Sequence, residues 1–333
     1  MITVTVLTTF HNAEKTILDS ANSVLHQSFK DFELLMIDDG STDSSSIIID
    51  NLDDNRVRLF SPGRLGRARA LNFGLSKAKG EYIAILDSDD IAFPDRLEKQ
   101  YNLITSKSLG LVASNAVLSD DQGNYIGETN FPSSHEFITE SLFNLNVFPH
   151  SSVMFKKESV MKFGGYNERC EKSIDLNMYL DLIKRNESFY MMKECLINLN
   201  ISSSSWGVSD NKSLQLFFGL LGVLSFTNAN RGGVDFMRGS EDDFILIKNI
   251  LEEWFYHSSL YKRTLAKRYF RDCREALRKK KYILMLTLLY KTFKQDLLFF
   301  SYRGIKFNPD EDINQFIDFA LKEYPQTKKI LCI

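Results

Sequence analysis

Three features are scarce in this sequence: cysteine, long apolar runs and net charge. The four cysteines, Cys170, Cys195, Cys273 and Cys332, lie far apart and form no CxxC pair. Such spacing predicts reduced thiols in a cytosolic protein rather than a disulfide framework or a zinc site. The nearest approach to a membrane span, at 214–226, has 13 residues. It is too short to cross a bilayer and indicates a buried or interfacial helix.

The overall charge points to no particular partner. With 41 Lys and Arg against 43 Asp and Glu, the formal net charge is −2, which predicts neither a nucleic-acid nor a membrane partner. The N-terminus enters a strand-like run at once, without a basic segment or a cleavage signal, so we expect a cytoplasmic protein. The 333 residues suffice for one large domain or two smaller ones.

Glycine-rich phosphate-binding loops are also absent. No G-x-G-x-x-G follows the first strand-like run and no G-x-x-x-x-G-K-[ST] occurs, which argues against dinucleotide-binding and P-loop chemistry. A nucleotidyltransferase also uses paired aspartates on an α/β sheet. It usually needs a glycine-rich basic loop after the first strand, and TTFHNAEK at 8–15 is not one.

What is present is an alternation of strand and helix patterns, which predicts an α/β fold with parallel strands. The predicted strands are 2–10, 32–38, 56–60 and 82–87, and the predicted helices are about 14–27, 43–52 and 66–79. Polar residues follow three of these strands, at Thr8 to Asn12, Asp38 to Asp43 and Asp87 to Asp90. Because ligands bind beyond the carboxyl ends of parallel strands, we expect the three clusters to meet in one crevice.

Beyond residue 110 the pattern becomes mixed. Short strands at 111–118 and 151–155 alternate with helices and turns, and a serine-rich linker at 201–213 precedes a helical remainder. The sequence therefore predicts one domain at 1–205, with halves 1–110 and 111–205, and a helical C-terminal domain at 206–333.

Two acidic clusters indicate chemistry. LDSDD (86–90) has Asp-x-Asp spacing behind an apolar strand, and oxygen ligands suit a hard cation such as Mn²⁺ or Mg²⁺. IDDGSTDSS (37–45) carries two carboxylates at a strand end, where they can accept hydrogen bonds from a base or ribose. A solvated turn is the simpler interpretation of the first cluster, and a turn with a helix cap that of the second.

Three arginines, Arg64, Arg67 and Arg69, stand in the loop and helix that lead to the acidic strand end. Guanidinium groups there can reach phosphates. The alternative is a solvated basic helix face, which we expect for at least two of the three.

Four blocks of the sequence resemble the inverting family 2 glycosyltransferases. They are VLTTFHNAEKTILDSANSVLHQSFKDFELLMIDDGSTD (6–43), LNFGLSKAKGEYIAILDSDDIAFPDRLEKQ (71–100), FPHSSVMFKKESVMKFGGYNE (148–168) and SIDLNMYLDLIKR (173–185). The resemblance covers about 1–205. It is greatest to the bacterial enzymes that build lipopolysaccharide, capsule or lipooligosaccharide. It implies a GT-A fold, in which a Rossmann-like mixed sheet is flanked by helices. It also implies a nucleotide-diphosphate sugar as donor, for which we expect UDP-hexose or UDP-N-acetylhexosamine, and a glycan or lipid-linked saccharide as acceptor.

The resemblance also implies roles for individual residues. Thr8, Phe10 and Asn12 would line the nucleotide pocket, Asp38 and Asp39 would face the uracil, and Arg67, Asp87 and Ser88 would bind the donor. A divalent cation, Mn²⁺ or Mg²⁺, would be held by Asp89, with Asp87 and His150 nearby. Asp175 would be the catalytic base, and Gly165 and Tyr166 would border the acceptor. A half-buried structural role is the alternative for His150, and a helix cap for Asp175.

One block departs from the family pattern. In SIDLNMYL, Asp175 stands at the Asp of the family's Glu-Asp pair, but Ile174 replaces the Glu, Asn177 replaces a second Asp and Tyr179 replaces a Trp. These replacements are the basis of an alternative, a catalytically impaired nucleotide-sugar-binding subunit that partners another glycosyltransferase.

The C-terminal third contains a strongly basic segment. KRTLAKRYFRDCREALRKKK (262–281) has ten Lys and Arg against Asp272 and Glu275, and the apolar stretch 282–307 follows it. A basic amphipathic helix beside an apolar one is typical of an anionic membrane surface contact, so we expect a peripheral membrane protein. An ordinary helical bundle is the alternative. Nucleic acid is not expected, because one basic helix lacks interleaved stacking residues.

Overall fold

The computed structural model describes residues 2–143, 148–201, 211–258, 261–262, 265–266, 282–295 and 309–331. The chain forms two compact units. The first contains Met1–Leu142 and Asn146–Trp206, and the second contains Phe143–Leu145 and Gly207–Ile333. Most of the predicted linker at 201–213, namely residues 202–210, lies outside the described residues. Most of the basic segment 262–281 and residues 296–308 also lie outside them.

The first unit begins with four parallel strands, as the alternating pattern predicts. The strands are β1 Val4–Phe10, β2 Phe32–Asp38, β3 Val57–Phe60 and β4 Tyr82–Ile85, joined by α1 Ile17–Leu25, α2 Ser45–Asp50 and α3 Arg67–Lys77. They lie in the order β3-β2-β1-β4. Nearly every residue of β1 and β2 is buried, as is usual for parallel strands covered on both faces.

The second half of this unit extends the same sheet with mixed strand directions. Its strands are β5 Ile91–Ala92, β6 Leu111–Ser119, β7 Tyr125–Glu128, β8 Met154–Lys156 and β9 Phe189–Asn200, and its helices are α4 Arg96–Ser106, α5 His135–Phe143, α6 Lys157–Met161 and α7 Ile174–Lys184. The full order is β3-β2-β1-β4-β8-β6-β9-β5, and β7 pairs with β6. Strand β8 is antiparallel to both β4 and β6. The predicted mixed sheet flanked by helices is confirmed.

The predicted strand at 151–155 is partly wrong. Residues His150–Ser152 form a 3₁₀ turn, and β8 begins only at Met154. The turn is stabilised by the Ser152 N–H, which donates to the carbonyl of Pro149. This turn directs His150 towards the carboxyl edge of the sheet, where the candidate site lies.

The second unit is helical. Its described helices are α8 Asn211–Asn230, α9 Glu241–His257, α10 Tyr282–Gln295 and α11 Pro309–Glu323. Apolar side chains such as Phe218, Leu221 and Phe255 are fully buried. The Asn228 amide fastens the chain end by donating to the carbonyls of Val234 and Ile330, each at 2.8 Å. Among the described residues, no helix combines the length and the apolar character needed to cross a bilayer.

A buried carboxylate, Glu33, ties the parallel strands together. It accepts from the Thr5 hydroxyl of β1 at 2.7 Å and from the Lys79 N–H ahead of β4 at 2.6 Å. It also pairs with Arg58 of β3 at 2.6 Å. Burial raises the pKa of Glu33, but these donors and the Arg58 charge outweigh burial, so the pKa lies below its ordinary value.

We therefore expect Glu33→Gln to reduce the free energy of unfolding by about 1–3 kcal/mol at pH 7, as when buried partners are left unsatisfied. A lowered pKa stabilises the fold fully above the unfolded-state value of 4.5, and this stabilisation is lost as the pH falls through the folded-state pKa. The gap between wild type and variant should therefore narrow below pH 4.5. Urea unfolding at several pH values measures this difference in the free energy of unfolding. Asp53→Asn is the control, because Asp53 is exposed. A gap that does not change with pH would contradict this assignment.

Candidate active site

The carboxyl ends of the parallel strands lie side by side. Phe10 at the end of β1 is in register with Asp38 at the end of β2, and Leu7 is in register with Ile85 at the end of β4. The polar clusters that follow these strands therefore emerge at one edge of the sheet, as the α/β pattern predicts.

The first of these clusters is held against the turn that follows β2. Thr8 and Phe10 are buried in β1. Asn12 adopts a left-handed backbone with φ 54°; its N–H donates to the Ser41 hydroxyl at 3.0 Å, and its Oδ1 accepts from the Thr42 N–H at 2.8 Å. The Asn12 side chain therefore joins the two loops that border the predicted nucleotide pocket.

Asp38 and Asp39 are both buried and both accept hydrogen bonds from neighbouring loops. Asp38 accepts from the Ser41 N–H at 2.8 Å and from the Ser46 hydroxyl. Asp39 accepts from the N–H groups of Leu65 and Gly66 at 2.6 and 2.9 Å. These contacts fit the turn interpretation of the segment, and contact of either carboxylate with a uracil stays a prediction.

The three arginines ahead of the acidic strand end are exposed, and each makes an ion pair. A solvated face, which the sequence predicts for at least two of them, fits Arg64 and Arg69, whose side chains are the more exposed. Arg64 pairs with Asp39 at 3.0 Å, and Arg69 pairs with Glu168 at 3.3 Å. Arg67, the first residue of α3, donates from Nη2 to both carboxylate oxygens of Asp87 at 2.8 Å.

Arg67 and Asp87 keep each other charged. Burial raises the pKa of Asp87, but the Arg67 charge and hydrogen bond, together with His150 and Ser151, outweigh burial, so that pKa lies below its ordinary value. The Asp87 charge in turn raises the pKa of Arg67. The pair therefore presents a cation and an anion, both partly open to solvent, at the edge of the sheet.

His150 lies between Arg67 and Tyr166. Its Nδ1 is 3.4 Å from Arg67 Nη2, and its Nε2 is 2.9 Å from the Tyr166 hydroxyl. A guanidinium only donates, so Nδ1 acts as the acceptor and Nε2 carries the proton. Burial and the Arg67 charge lower the pKa of His150, which keeps the imidazole neutral. A metal-ligand role for His150 stays a prediction, and it requires one ring nitrogen to leave its partner, either Arg67 or Tyr166.

The turn that carries Gly165 and Tyr166 is fastened to α3. The Tyr166 N–H donates to Asn72 Oδ1 at 2.8 Å, and Asn72 Nδ2 donates to the Tyr166 carbonyl at 2.9 Å. Gly165 has φ 81°, and a Cβ there would lie 2.3 Å from Asn72 Oδ1. Only glycine therefore fits the close approach that brings the buried Tyr166 ring beside His150.

Asp175 reaches the same site from α7. Ser173 is the N-cap residue of this helix, so the helix-cap alternative for Asp175 is wrong. Asp175 is half-buried, and its charge acts on Arg67, His150 and Tyr166. The candidate base and the Arg67–Asp87 pair are therefore close enough to interact electrostatically.

The residues that depart from the family pattern are all buried. Ile174 is 6% exposed, and the Asn177 side-chain amide donates to the carbonyl of Ser173 at 2.9 Å. The Tyr179 ring stacks on Phe148 with 4.7 Å between centroids. Tyr179 is also close to the site, since burial and the charges of Asp175 and Asp87 raise its pKa.

Asp89 lies on the open side of the acidic turn, and Ser88 is half-buried beside it. Asp89 lines a cavity of about 180 Å³ that Asp19, Ser119 and Asn198 also line. The surrounding protein and the Asp87 charge raise the pKa of Asp89. Asp89 makes no ion pair within the described part of the chain, so its oxygens are available to a cation.

A complete cage for a metal ion is not found among the described residues, since no group of three or more His, Cys, Asp or Glu side chains converges suitably. Two carboxylates nevertheless suit Mg²⁺ or Mn²⁺, because Mg²⁺ is usually bound by one or two carboxylates, substrate phosphates and water. The donor set of Asp87 and Asp89 therefore fits the cation that the sequence predicts.

Sequence reasoning missed two supporting residues, Asn72 and Arg96. Arg96 is fully buried, and it donates from Nη2 to the carbonyls of Ile85 and Val153 at 2.8 and 3.3 Å. Burial lowers the pKa of Arg96 to about 9. Its helical spacing with Gln100 and Ile104, four and eight residues further along α4, was the available signal.

Comparison with known proteins finds similar glycosyltransferases. Residues 5–166 match the family model for glycosyl transferase family 2. An uncharacterized glycosyltransferase of Haemophilus influenzae is 36% identical over 184 residues, which are 54% of this chain and 72% of that protein. The O-antigen biosynthesis glycosyltransferase WbnJ of Escherichia coli is 32% identical over 211 residues, 61% of this chain and 81% of WbnJ.

A solved structure shares the fold. The crystal structure of S. aureus TarS 1–349 in complex with UDP-GlcNAc aligns with a TM-score of 0.55 at 15% identity, over 88% of this chain and 92% of that one. The predicted GT-A fold is confirmed. Since the chain covers more than two thirds of both relatives at 30% identity or more, it belongs to glycosyl transferase family 2.

Proposed function

We propose that this glycosyltransferase moves a sugar, with inversion, from a UDP-sugar to a hydroxyl of a glycan or lipid-linked saccharide during synthesis of a bacterial surface polysaccharide. The observation that carries the proposal is the Arg67–Asp87 pair at the sheet edge with Asp175 in electrostatic range. Support for the donor is the UDP-GlcNAc complex of TarS, and support for the product is the O-antigen role in the name of WbnJ.

In the proposed reaction Asp175 is the general base. Its carboxylate takes the proton of the acceptor hydroxyl while that oxygen attacks the anomeric carbon. The bond from the anomeric carbon to the diphosphate oxygen breaks on the opposite face, and the electron pair leaves with UDP. A single displacement inverts the anomeric centre. Arg67 places its charge beside the departing diphosphate, where a guanidinium stabilises developing negative charge.

A divalent cation would be held by Asp89 together with Asp87. When bound, Mn²⁺ or Mg²⁺ supplies Lewis-acid stabilisation of the charge on the leaving diphosphate. Asp87 also accepts from Arg67, so Asp89 is the main protein ligand in this proposal.

The test is a thermal-shift measurement with UDP and UDP-GlcNAc, with and without Mn²⁺. A ligand that binds only the native state stabilises it by about 2.7 kcal/mol at 100 times its Kd. We expect a shift that requires Mn²⁺ and is lost in Asp89→Ala. The control is Asp19→Ala, because Asp19 lines the same cavity and is also exposed. The donor assignment would fail if neither nucleotide shifted the wild-type transition.

A membrane contact by the second unit is a further part of the proposal. Leu286 and Tyr290, one turn apart on α10, are 59% and 68% exposed, and the sequence before this helix is strongly basic. Exposed apolar side chains next to basic charge favour an anionic lipid surface.

We expect the protein to cosediment with vesicles of anionic phospholipid but not with vesicles of phosphatidylcholine. The double variant Leu286→Gln/Tyr290→Gln should bind the anionic vesicles several-fold less, by about the amount expected from losing buried apolar area. Ile245→Gln, at another exposed apolar position of this unit, is the control. If all variants bound the anionic vesicles as the wild type does, the surface of α10 around Leu286 and Tyr290 would not be the membrane contact.

A further inference from the structure

The last aspartate of the LDSDD turn is buried, unlike the other two. Asp90 is only 5% exposed, whereas Asp87 is half-buried and Asp89 is open to solvent. One Asp90 oxygen accepts from the Asn200 N–H at the end of β9 at 2.9 Å. The other accepts from the Ser151 hydroxyl. Asp90 therefore faces inward and contributes no ligand to the open side of the turn.

Ser151 links this buried carboxylate to the donor site. It is 1% exposed and lies in the 3₁₀ turn His150–Ser152. Its hydroxyl donates to Asp90 and accepts from the backbone N–H of Asp87 at 3.0 Å. The Ser151 hydroxyl therefore holds the backbone of Asp87, while the carboxylate of Asp87 pairs with Arg67.

The same turn is also anchored in a way that does not involve Ser151. The Gln100 amide donates to the carbonyl of Ser152 at 2.7 Å, and Arg96 donates to the carbonyls of Ile85 and Val153. Ser152 donates its own hydroxyl to the carbonyl of Pro149 at 2.8 Å. Loss of the Ser151 hydroxyl alone should therefore leave the turn folded.

We propose that Asp90 and Ser151 are positioning residues, which fix the Asp87 backbone so that the Arg67–Asp87 pair is held in place for the donor diphosphate. His150 belongs to the same group of contacts, because it directly precedes Ser151 and contacts Arg67. Ser151, Asp87, Arg67 and His150 thus form a closed ring of contacts, and Asp90 joins it through the Ser151 hydroxyl. The role in donor binding rests on the proposed function, whereas the positioning of Asp87 does not.

The experiment compares Ser151→Ala with Ser152→Ala, two buried serines of one turn that differ in whether they contact Asp87 and Asp90. Amide hydrogen exchange is measured on the full chain without ligand. We expect exchange at Asp87 to rise about tenfold or more in Ser151→Ala, because its N–H loses a buried acceptor. Exchange at α7 should stay unchanged as the internal check of folding. Ser152→Ala should match the wild type at Asp87.

Asp90→Ala distinguishes the contribution of Asp90 from that of Ser151. It should raise exchange at Asp87 and also at Asn200, whose N–H bonds directly to Asp90. Ser151→Ala should affect Asp87 alone. Unchanged exchange at Asp87 in Ser151→Ala, or an equal rise in Ser152→Ala, would overturn the positioning role.

A binding measurement with UDP and Mn²⁺ then tests the consequence for the donor site. We expect Ser151→Ala to bind UDP about tenfold more weakly than the wild type and Ser152→Ala to bind normally, as when one buried hydrogen bond is lost. Equal UDP affinity in wild type and Ser151→Ala would overturn the link to the donor. If the wild type bound no UDP, the proposed donor would be wrong, and the exchange data would still decide the positioning role.

Discussion

Replacing Asp175 with Asn should lower the rate of sugar transfer by about 10²–10⁴-fold, the contribution usual for a general base. Asn has nearly the same shape but cannot take the proton of the acceptor hydroxyl. Asp175 is half-buried at the start of α7, so the fold should tolerate the change. The measurement is steady-state transfer or hydrolysis of UDP-GlcNAc, with UDP binding measured in parallel.

The loss should appear in kcat, whereas binding of UDP should change little. Asp181→Asn is the matched control, because Asp181 lies on the same helix and pairs with Lys184 at 3.5 Å. If wild-type transfer were measurable and Asp175→Asn left it unchanged, Asp175 would not be the base. An absence of transfer by the wild type, with normal UDP binding, would favour the nucleotide-sugar-binding subunit.

Replacing Gly80 with Ala should reduce the free energy of unfolding by about 3 kcal/mol or more, at the upper end of overpacking effects. A Cβ at Gly80 would lie 2.4 Å from the backbone nitrogen of Thr5 and 2.7 Å from the carbonyl carbon of Val4. Both atoms belong to β1, so no change of rotamer can relieve the overlap. The Gly80 N–H also donates to the Thr5 hydroxyl at 2.9 Å, and this bond would break as the segments separated.

Thermal and urea unfolding of the variant measure this effect. Gly127→Ala is the control, because a Cβ there would meet no atom within 4 Å. We expect the control to lie within about 0.5 kcal/mol of the wild type, as do most surface substitutions. A Gly80→Ala protein as stable as the control would show that β1 and the segment before β4 are less closely packed than described.

The parallel half of the sheet was predictable because its signal is local. Strands buried on both faces read as continuous apolar runs, and β2 spans Phe32–Asp38 as the sequence predicts. Short strands with weak patterns were not identified. Strand β5 has only two residues, and β7 is almost wholly exposed, so pairing with β9 and β6 decides their structure.

In the candidate site, too, part of the arrangement was predictable from the sequence and part was decided by tertiary contacts. The rule that ligands bind beyond the carboxyl ends of parallel strands is enough to predict that the clusters of Thr8, Asp38 and Asp87 lie at one edge of the sheet. The family resemblance adds Asp175 as the base. Neither predicts that Arg67 bonds both oxygens of Asp87, or that His150 lies between Arg67 and Tyr166.

The sequence by itself therefore determined the element order of the parallel half, the edge where the polar clusters meet and the family of the enzyme. Only the tertiary structure decided which way each carboxylate of the LDSDD turn faces. Asp89 remains open to solvent, and Asp90 turns inward to Ser151 and Asn200. The physical reason is that a buried carboxylate needs donors to replace water, and those donors come from residues 61 and 110 positions away in the chain.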